Sequence, residues 1–212
     1  MAPAAESAPR AHAEGWWRRR TAALFRWLHI YLSMVSFGLL FFFAITGLTL
    51  NHAEALFGDR AAVTQRRGEL EKKWLAPGDD AKVAKLEIAE QLRRAHGVKG
   101  LVAEFRIEEA QCAVAFKGPG YAADATIDRA TGRFELNETR MGFIAIINDL
   151  HKGRDTGPGW SLVIDLSAVL MVVVSLTGMV LIYFVRRRFV SGVIAAAAGA
   201  LMSVLVYVWL VP

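Results

Sequence analysis

The stretch IYLSMVSFGLLFFFAITGLTL, Ile30 to Leu50, runs 21 residues without a charge. Roughly 20 helical residues cross the hydrocarbon core of a bilayer, so this stretch predicts a membrane span. His29 precedes it and His52 follows it. Two further apolar runs lie downstream, Trp160–Phe184 and the uncharged Val193–Val211. Ala53 to Leu150, between the first two runs, has the length of one small domain. The fold class that follows is membrane α-helical, with three transmembrane helices and a small α+β domain between helices 1 and 2.

The net charge of +5 resolves into two parts. From Ala53 to Leu150 there are 15 Lys/Arg against 16 Asp/Glu, so the intervening domain is close to neutral. Most of the remaining basic residues flank the spans: Arg10, Arg18, Arg19, Arg20 and Arg26 before the first, and Arg186, Arg187 and Arg188 after the second. Positively charged flanks stay in the cytoplasm. Both clusters agree on a cytoplasmic N-terminus, an external domain and an external C-terminus. The basic pI is thus a topology signal, and nucleic-acid binding is not expected. Ala53-Glu54-Ala55 fits a small-x-small cleavage site, but the preceding run is longer than a secretory signal core, so an uncleaved anchor is expected.

Within the intervening domain, Val83, Leu86, Ile88, Leu92 and Ala95 fall mostly on one helical face, and Gly97 supplies the stop. Alternating segments follow at Leu101–Ile107, Gln111–Phe116, Tyr121–Ile127 and Arg133–Leu136. One helix covering an antiparallel meander is the natural reading. Asp79-Asp80 reads as a helix-start cap. The single cysteine, Cys112, can form neither an internal disulfide nor a CxxC site and is expected to be buried in a strand. Phe143, Ile147 and His151 share one helical face, predicting a short amphipathic segment on the outer membrane surface.

The chemistry rests on histidines. His29 and His52 would be about 35 Å apart on one helix and cannot share a metal. His52 and His151 are expected at the same outer face, where two imidazoles from separate crossings can clamp a haem iron. Two histidines near span ends are equally explained as amphipathic interface residues. The matching pairs Thr46-Gly47 and Thr177-Gly178 are small-residue sites where a helix or a flat ligand can approach closely. Asp165, five residues into the second span, either accepts a hydrogen bond from a ligand imidazole or pairs with Arg154 or Lys152. No nucleophilic triad, phosphate loop or carboxylate pair is present. A stripe of small residues in the third span, Ser191, Ala195, Gly199 and Ser203, can seat another helix of this chain or of a second copy.

Leu28-His29 leading to Thr46-Gly47, then NDLHKGRDTGPGWSLVIDLSAVLMVVVSLTGMVLIY (Asn148–Tyr183), resemble the PepSY-associated transmembrane helix family. The middle domain resembles a PepSY module ending in TIDRATGRFEL (Thr126–Leu136). Relatives in that superfamily include inner-membrane reductases that carry b-type haem and release iron from siderophores in the periplasm. The resemblance implies haem ligation by membrane histidines, with His29 and His151 at the matching positions and His52 added from its placement. Gly47 and Gly178 would border the cofactor, and Asp165 and Arg154 would support the ligands.

The expected organisation is a disordered cytoplasmic N-terminus (1–21), helix 1 (22–52), a periplasmic PepSY-like domain (53–140), an interfacial helix (141–152), helix 2 (160–185) and helix 3 (191–211). This is a multi-pass protein of a bacterial inner membrane. As a b-type haem reductase or electron-transfer subunit it would serve a periplasmic acceptor, ferric siderophore or a flavoprotein. With few histidines in one chain, either one haem binds, or a homodimer or a partner membrane subunit completes the sites. The alternative is a non-catalytic anchored PepSY module that binds or regulates a periplasmic protein.

Overall fold

The computed structural model describes residues 10–53, 61–185 and 187–212, and side chains from residue 15 onward within those ranges. The expectations for residues 1–9, for Glu54-Ala55 of the cleavage-like site and for Arg186 lie outside the described residues. Three helices are long and apolar enough to cross a membrane: α1 (Arg10–Asn51), α4 (Gly157–Phe184) and α5 (Phe189–Leu210). The chain is a multi-pass membrane protein. Large apolar side chains such as Met34, Leu166 and Leu205 stand exposed along them, as lipid-facing residues do.

One expectation is corrected at the N-terminus. Residues 10–21, read as disordered, belong to α1. Local bonds hold this extension: Arg20 stacks on Trp16 with its guanidinium carbon 4.1 Å from the ring centroid, and Thr21 Oγ1 donates to Trp17 O at 2.9 Å. Both pairs are spaced i, i+4, the spacing at which helical side chains meet.

The chain divides into two compact units, one of Met1–Leu40 with Leu166–Pro212, the other Phe41–Asp165. The second holds an antiparallel five-stranded sheet of order β1-β5-β4-β3-β2, built from β1 (Ala62–Glu69), β2 (Leu101–Ile107), β3 (Gln111–Gly118), β4 (Tyr121–Asp128) and β5 (Arg133–Arg140). Helix α2 (Lys85–His96) ends at Gly97 in the left-handed conformation, φ +68°. It covers one sheet face: Ile88, Ala89 and Leu92 join Cys112, Val114, Phe116, Ala125, Ile127, Phe134 and Leu136 in one core. Cys112 is a buried strand residue, and burial pushes its thiol pKa up. Asp79 caps as expected, accepting from Ala81 N, but the turn it caps is a 3-10 turn, Asp80–Lys82, rather than α2.

Strand β1 has no counterpart in the sequence reading. AVTQRRGE lacks apolar alternation because β1 is an edge strand held through its register with β5, from Ala62↔Arg140 to Glu69↔Arg133, and not by burying side chains. Between β1 and α2 the chain is gathered by Arg129, which is 1% exposed. Its guanidinium donates to Leu75 O (3.2 Å), Ala76 O (2.7 Å), Glu108 O (2.8 Å) and Asp80 Oδ1 (2.7 Å). A buried guanidinium is tolerable only when its donors are met this completely.

Candidate functional site

The residues from Asn148 to Trp160 form a joint. Helix α3 (Phe143–Lys152) ends at Gly153 with φ +67°, and a Cβ there would stand 2.7 Å from Ile164 Cδ1, so only glycine fits. Two residues on, Asp155 also takes positive φ, +56°. Trp160 then donates its indole N–H back to Leu150 O at 2.8 Å. Asp149 faces the sheet, where its Oδ2 accepts from Gly120 N at 2.9 Å. Gly120 itself is at φ +62°, and a Cβ there would meet Ile146 Cγ1 at 2.4 Å. The β3–β4 turn therefore seats directly on α3.

The same helix grips the end of α1 through two polar pairs. Thr46 Oγ1 and His151 Nδ1 are 2.7 Å apart, and Thr49 Oγ1 donates to Asn148 Oδ1 at 2.8 Å. The spacing of three on each helix, ascending in one and descending in the other, makes these two pairs a single antiparallel contact. Gly47 allows the approach: a Cβ there would lie 3.4 Å from His151 Cε1. Phe43 meets the imidazole edge-on, ring centroids 5.3 Å apart.

His29, in the other unit, repeats this chemistry. Its Nδ1 lies 2.9 Å from Thr177 Oγ1 and 3.1 Å from Val174 O, and a Cβ on Gly178 would be 3.2 Å from its Cε1. Thus each Thr-Gly pair receives one imidazole. A carbonyl only accepts, so Nδ1 of His29 carries the proton that faces Val174 O. Thr177 Oγ1 lies 2.9 Å from Val174 O, and Thr46 Oγ1 lies 2.7 Å from Phe42 O. Nδ1 of His151 has the Thr46 hydroxyl as its one hydrogen-bond partner among the described residues, and the direction of that bond follows the tautomer; no hydrogen bond involves Nε2 of either ring among the described residues.

The other sequence-derived candidates are placed differently. His52 follows the last residue of α1 and is exposed, with no hydrogen bond or ring contact among the described residues. Asp165 and Arg154 are exposed, and no ion pair among the described residues includes either. Gly47 and Gly178 border imidazoles. No group of three or more His, Cys, Asp or Glu among the described residues is placed to hold a metal ion. A two-histidine haem site needs no such group, so the fit of haem rests on the donor atoms. His29 and His151 each have Nδ1 anchored to a threonine hydroxyl and Nε2 without a hydrogen bond among the described residues. Anchoring through one ring nitrogen is what a histidine ligand requires. Each of these two settings would hold such a group through one imidazole.

The sequence reading singled out both histidines and both Thr-Gly pairs without matching them to each other. The signal was present in the equal spacing of Thr46/Thr49 and Asn148/His151. Unanticipated residues include Asn148, Asp149 and Trp160, each of which engages one side-chain polar atom in the joint.

A second polar centre lies in the sheet. Glu138, 1% exposed, receives Arg140 Nη2 at 2.7 Å and Nε at 2.9 Å, with Arg66 Nη2 at 3.6 Å. Burial raises its pKa, but the bonds from Arg140 and Tyr121 and the charges of Arg140 and Arg66 outweigh this and hold it below the usual 4.5. Tyr121 in turn is pushed above 10.0, chiefly by burial. This cluster is a structural tie between β1, β4 and β5, with every charge paired.

Fold and joint together define a multi-pass membrane protein with an antiparallel-sheet domain inserted between its first two spans. The model of the PepSY_TM-like family matches residues 23–212, and the chain belongs to that family. No curated protein matches the chain, and no solved structure matches it.

Proposed function

We propose that this chain is a haem-binding electron-transfer protein of a bacterial inner membrane, delivering electrons to a periplasmic acceptor such as a ferric siderophore or a flavoprotein. The observation that carries this reading is the shared setting of His29 and His151: each Nδ1 is bonded to the hydroxyl of a Thr-Gly pair, and Nε2 has no hydrogen bond among the described residues. Haem, when bound, supplies the one-electron chemistry. The chain's own residues fix ring orientation through Thr46 and Thr177, and Phe43 packs edge-on against the His151 ring. Arg18, Arg19, Arg20 and Arg26 at one end of the first span, and Arg187 and Arg188 beyond the second, support a cytoplasmic N-terminus with the sheet domain and C-terminus in the periplasm. For His151 the second ligand would come from His52, a second copy or a partner subunit, and for His29, too far from His52 to share a metal, from a second copy or a partner subunit.

The test is spectroscopic. Purified full-length protein is expected to show a Soret band that shifts on dithionite reduction, with pigment lost in His29→Ala and His151→Ala variants that still fold. A colourless, iron-free protein sinks the reading, as does pigment retained in both variants.

One observation favours a second reading, a non-catalytic anchored module. Asn148, Asp149, His151, Gly153 and Trp160 are each engaged in holding α3 between the sheet and the spans, so the motif also makes sense as a rigid mount. An iron-free protein whose periplasmic domain captures a protein partner would support it.

A further inference from the structure

We infer that the end of the sheet domain nearest α4 is a membrane-contacting surface, which sinks Leu101 and Phe143 into the lipid interface and binds anionic phospholipid headgroups with Lys117, Lys152 and Arg154. The argument starts from Gly157, the first residue of a membrane span. A Cβ on Gly157 would lie 3.8 Å from Leu101 Cδ1, so the start of β2 adjoins the point where the chain enters the bilayer. Trp160, three residues further on, has its indole bonded to Leu150 O, and tryptophan with its polar edge satisfied is a marker of the interfacial layer. Leu101 is nevertheless 52% exposed, and Phe143, at the start of α3, is 72% exposed. Soluble surfaces rarely leave such residues to water beside an apolar span.

The basic residues gather at the same end. Lys117 is the register partner of Leu101. The turn after it, through Gly120, is fastened to Asp149 of α3, which brings Lys152 and Arg154 to the same side. All three are exposed, and no ion pair among the described residues includes any of them. Asp155 is the acidic neighbour on the connecting loop, and Asp149 is committed to Gly120 N. An apolar fringe with unpaired cations beside it matches the two layers of an anionic membrane surface, acyl chains below and phosphates above.

The experiment uses the full chain in phosphatidylcholine vesicles with and without phosphatidylglycerol. Cys112 is fully buried, so a nitroxide is attached at Leu101→Cys, Phe143→Cys or Gln111→Cys, with unsubstituted protein as the labelling blank. Gln111 begins β3, about 20 Å along the strand from Lys117. Labels at 101 and 143 are expected to collide with oxygen more often than with a water-soluble nickel complex, and the label at 111 the reverse. Labels at 101 and 143 as water-accessible as that at 111 overturn the proposal. Phosphatidylglycerol is expected to raise the unfolding temperature of the unsubstituted protein, and the Lys117→Glu/Lys152→Glu/Arg154→Glu variant is expected to lose that rise. An equal rise in both, or none in either, overturns the headgroup assignment.

Discussion

Thr46 and Thr177 hold the same chemical position in their respective units: each hydroxyl lies within hydrogen-bond distance of a carbonyl of its own helix and of an imidazole Nδ1 from another segment. Each is followed by a glycine that lets the ring close in. A threonine alone would be an ordinary span residue, and a histidine alone an ordinary interface residue. Together they fix an orientation.

Replacing Thr46 by Val keeps the volume and removes the hydrogen-bond partner of His151 Nδ1. The expected cost is about 1–3 kcal/mol, because a polar atom is left unmet, read as a lower unfolding temperature in detergent. If haem is bound, retention should also weaken by about ten- to a hundredfold, the usual effect of losing a ligand's supporting partner. Thr46→Ser should restore both.

Arg129→Ala leaves four acceptors without their common donor. A loss of about 3–5 kcal/mol is expected for breaking so buried a set. Hydrogen exchange should localise it, with protection lost first in the segment from Glu71 to Val83, whose Leu75, Ala76 and Asp80 are the atoms tied down.

Gly120→Ala places a methyl group against Ile146 and demands positive φ of an ordinary residue. About 1–3 kcal/mol should be lost to backbone strain and a further part to the clash. Adding Ile146→Ala should recover the clash and not the strain, so the double variant should unfold between Gly120→Ala and the unsubstituted protein.

The Glu138 carboxyl is held below its usual 4.5 in the folded state. Its contribution to stability is therefore complete above about pH 4.5 and is lost as pH falls through the depressed folded value. Asp128, lowered from 3.8 chiefly by the backbone and hydroxyl of Thr131, acts in the same direction. Acid unfolding curves should show a shallower pH dependence in Glu138→Gln than in the unsubstituted protein; identical slopes would exclude Glu138 as a contributor.

The spans were legible because length and absence of charge are sufficient to mark them. Helix α2 and strands β3 to β5 were legible because they bury one face and so write their period into the sequence, and β2 because Phe105 and Ile107 pack against the core. Strand β1 was not, since a strand that buries little has no reason to alternate. Residues 10–21 misled through composition: the Ala/Pro-rich start hides the Trp16/Arg20 and Trp17/Thr21 pairs that carry the helix outward. At the candidate site the residue types were readable and their partners were not. Thr46 and Asn148 advertise nothing singly, and their meaning depends on which helices cross, which local sequence does not state.

The first strand of the sheet to leave the ribosome, β1, pairs with β5, the last. Its backbone stays unpaired until the whole hairpin series has been synthesised, and closure over so long a separation is slow. The α1 segment is by then already available for insertion. Membrane integration should therefore precede completion of the domain, and the order of assembly is written into the strand order itself.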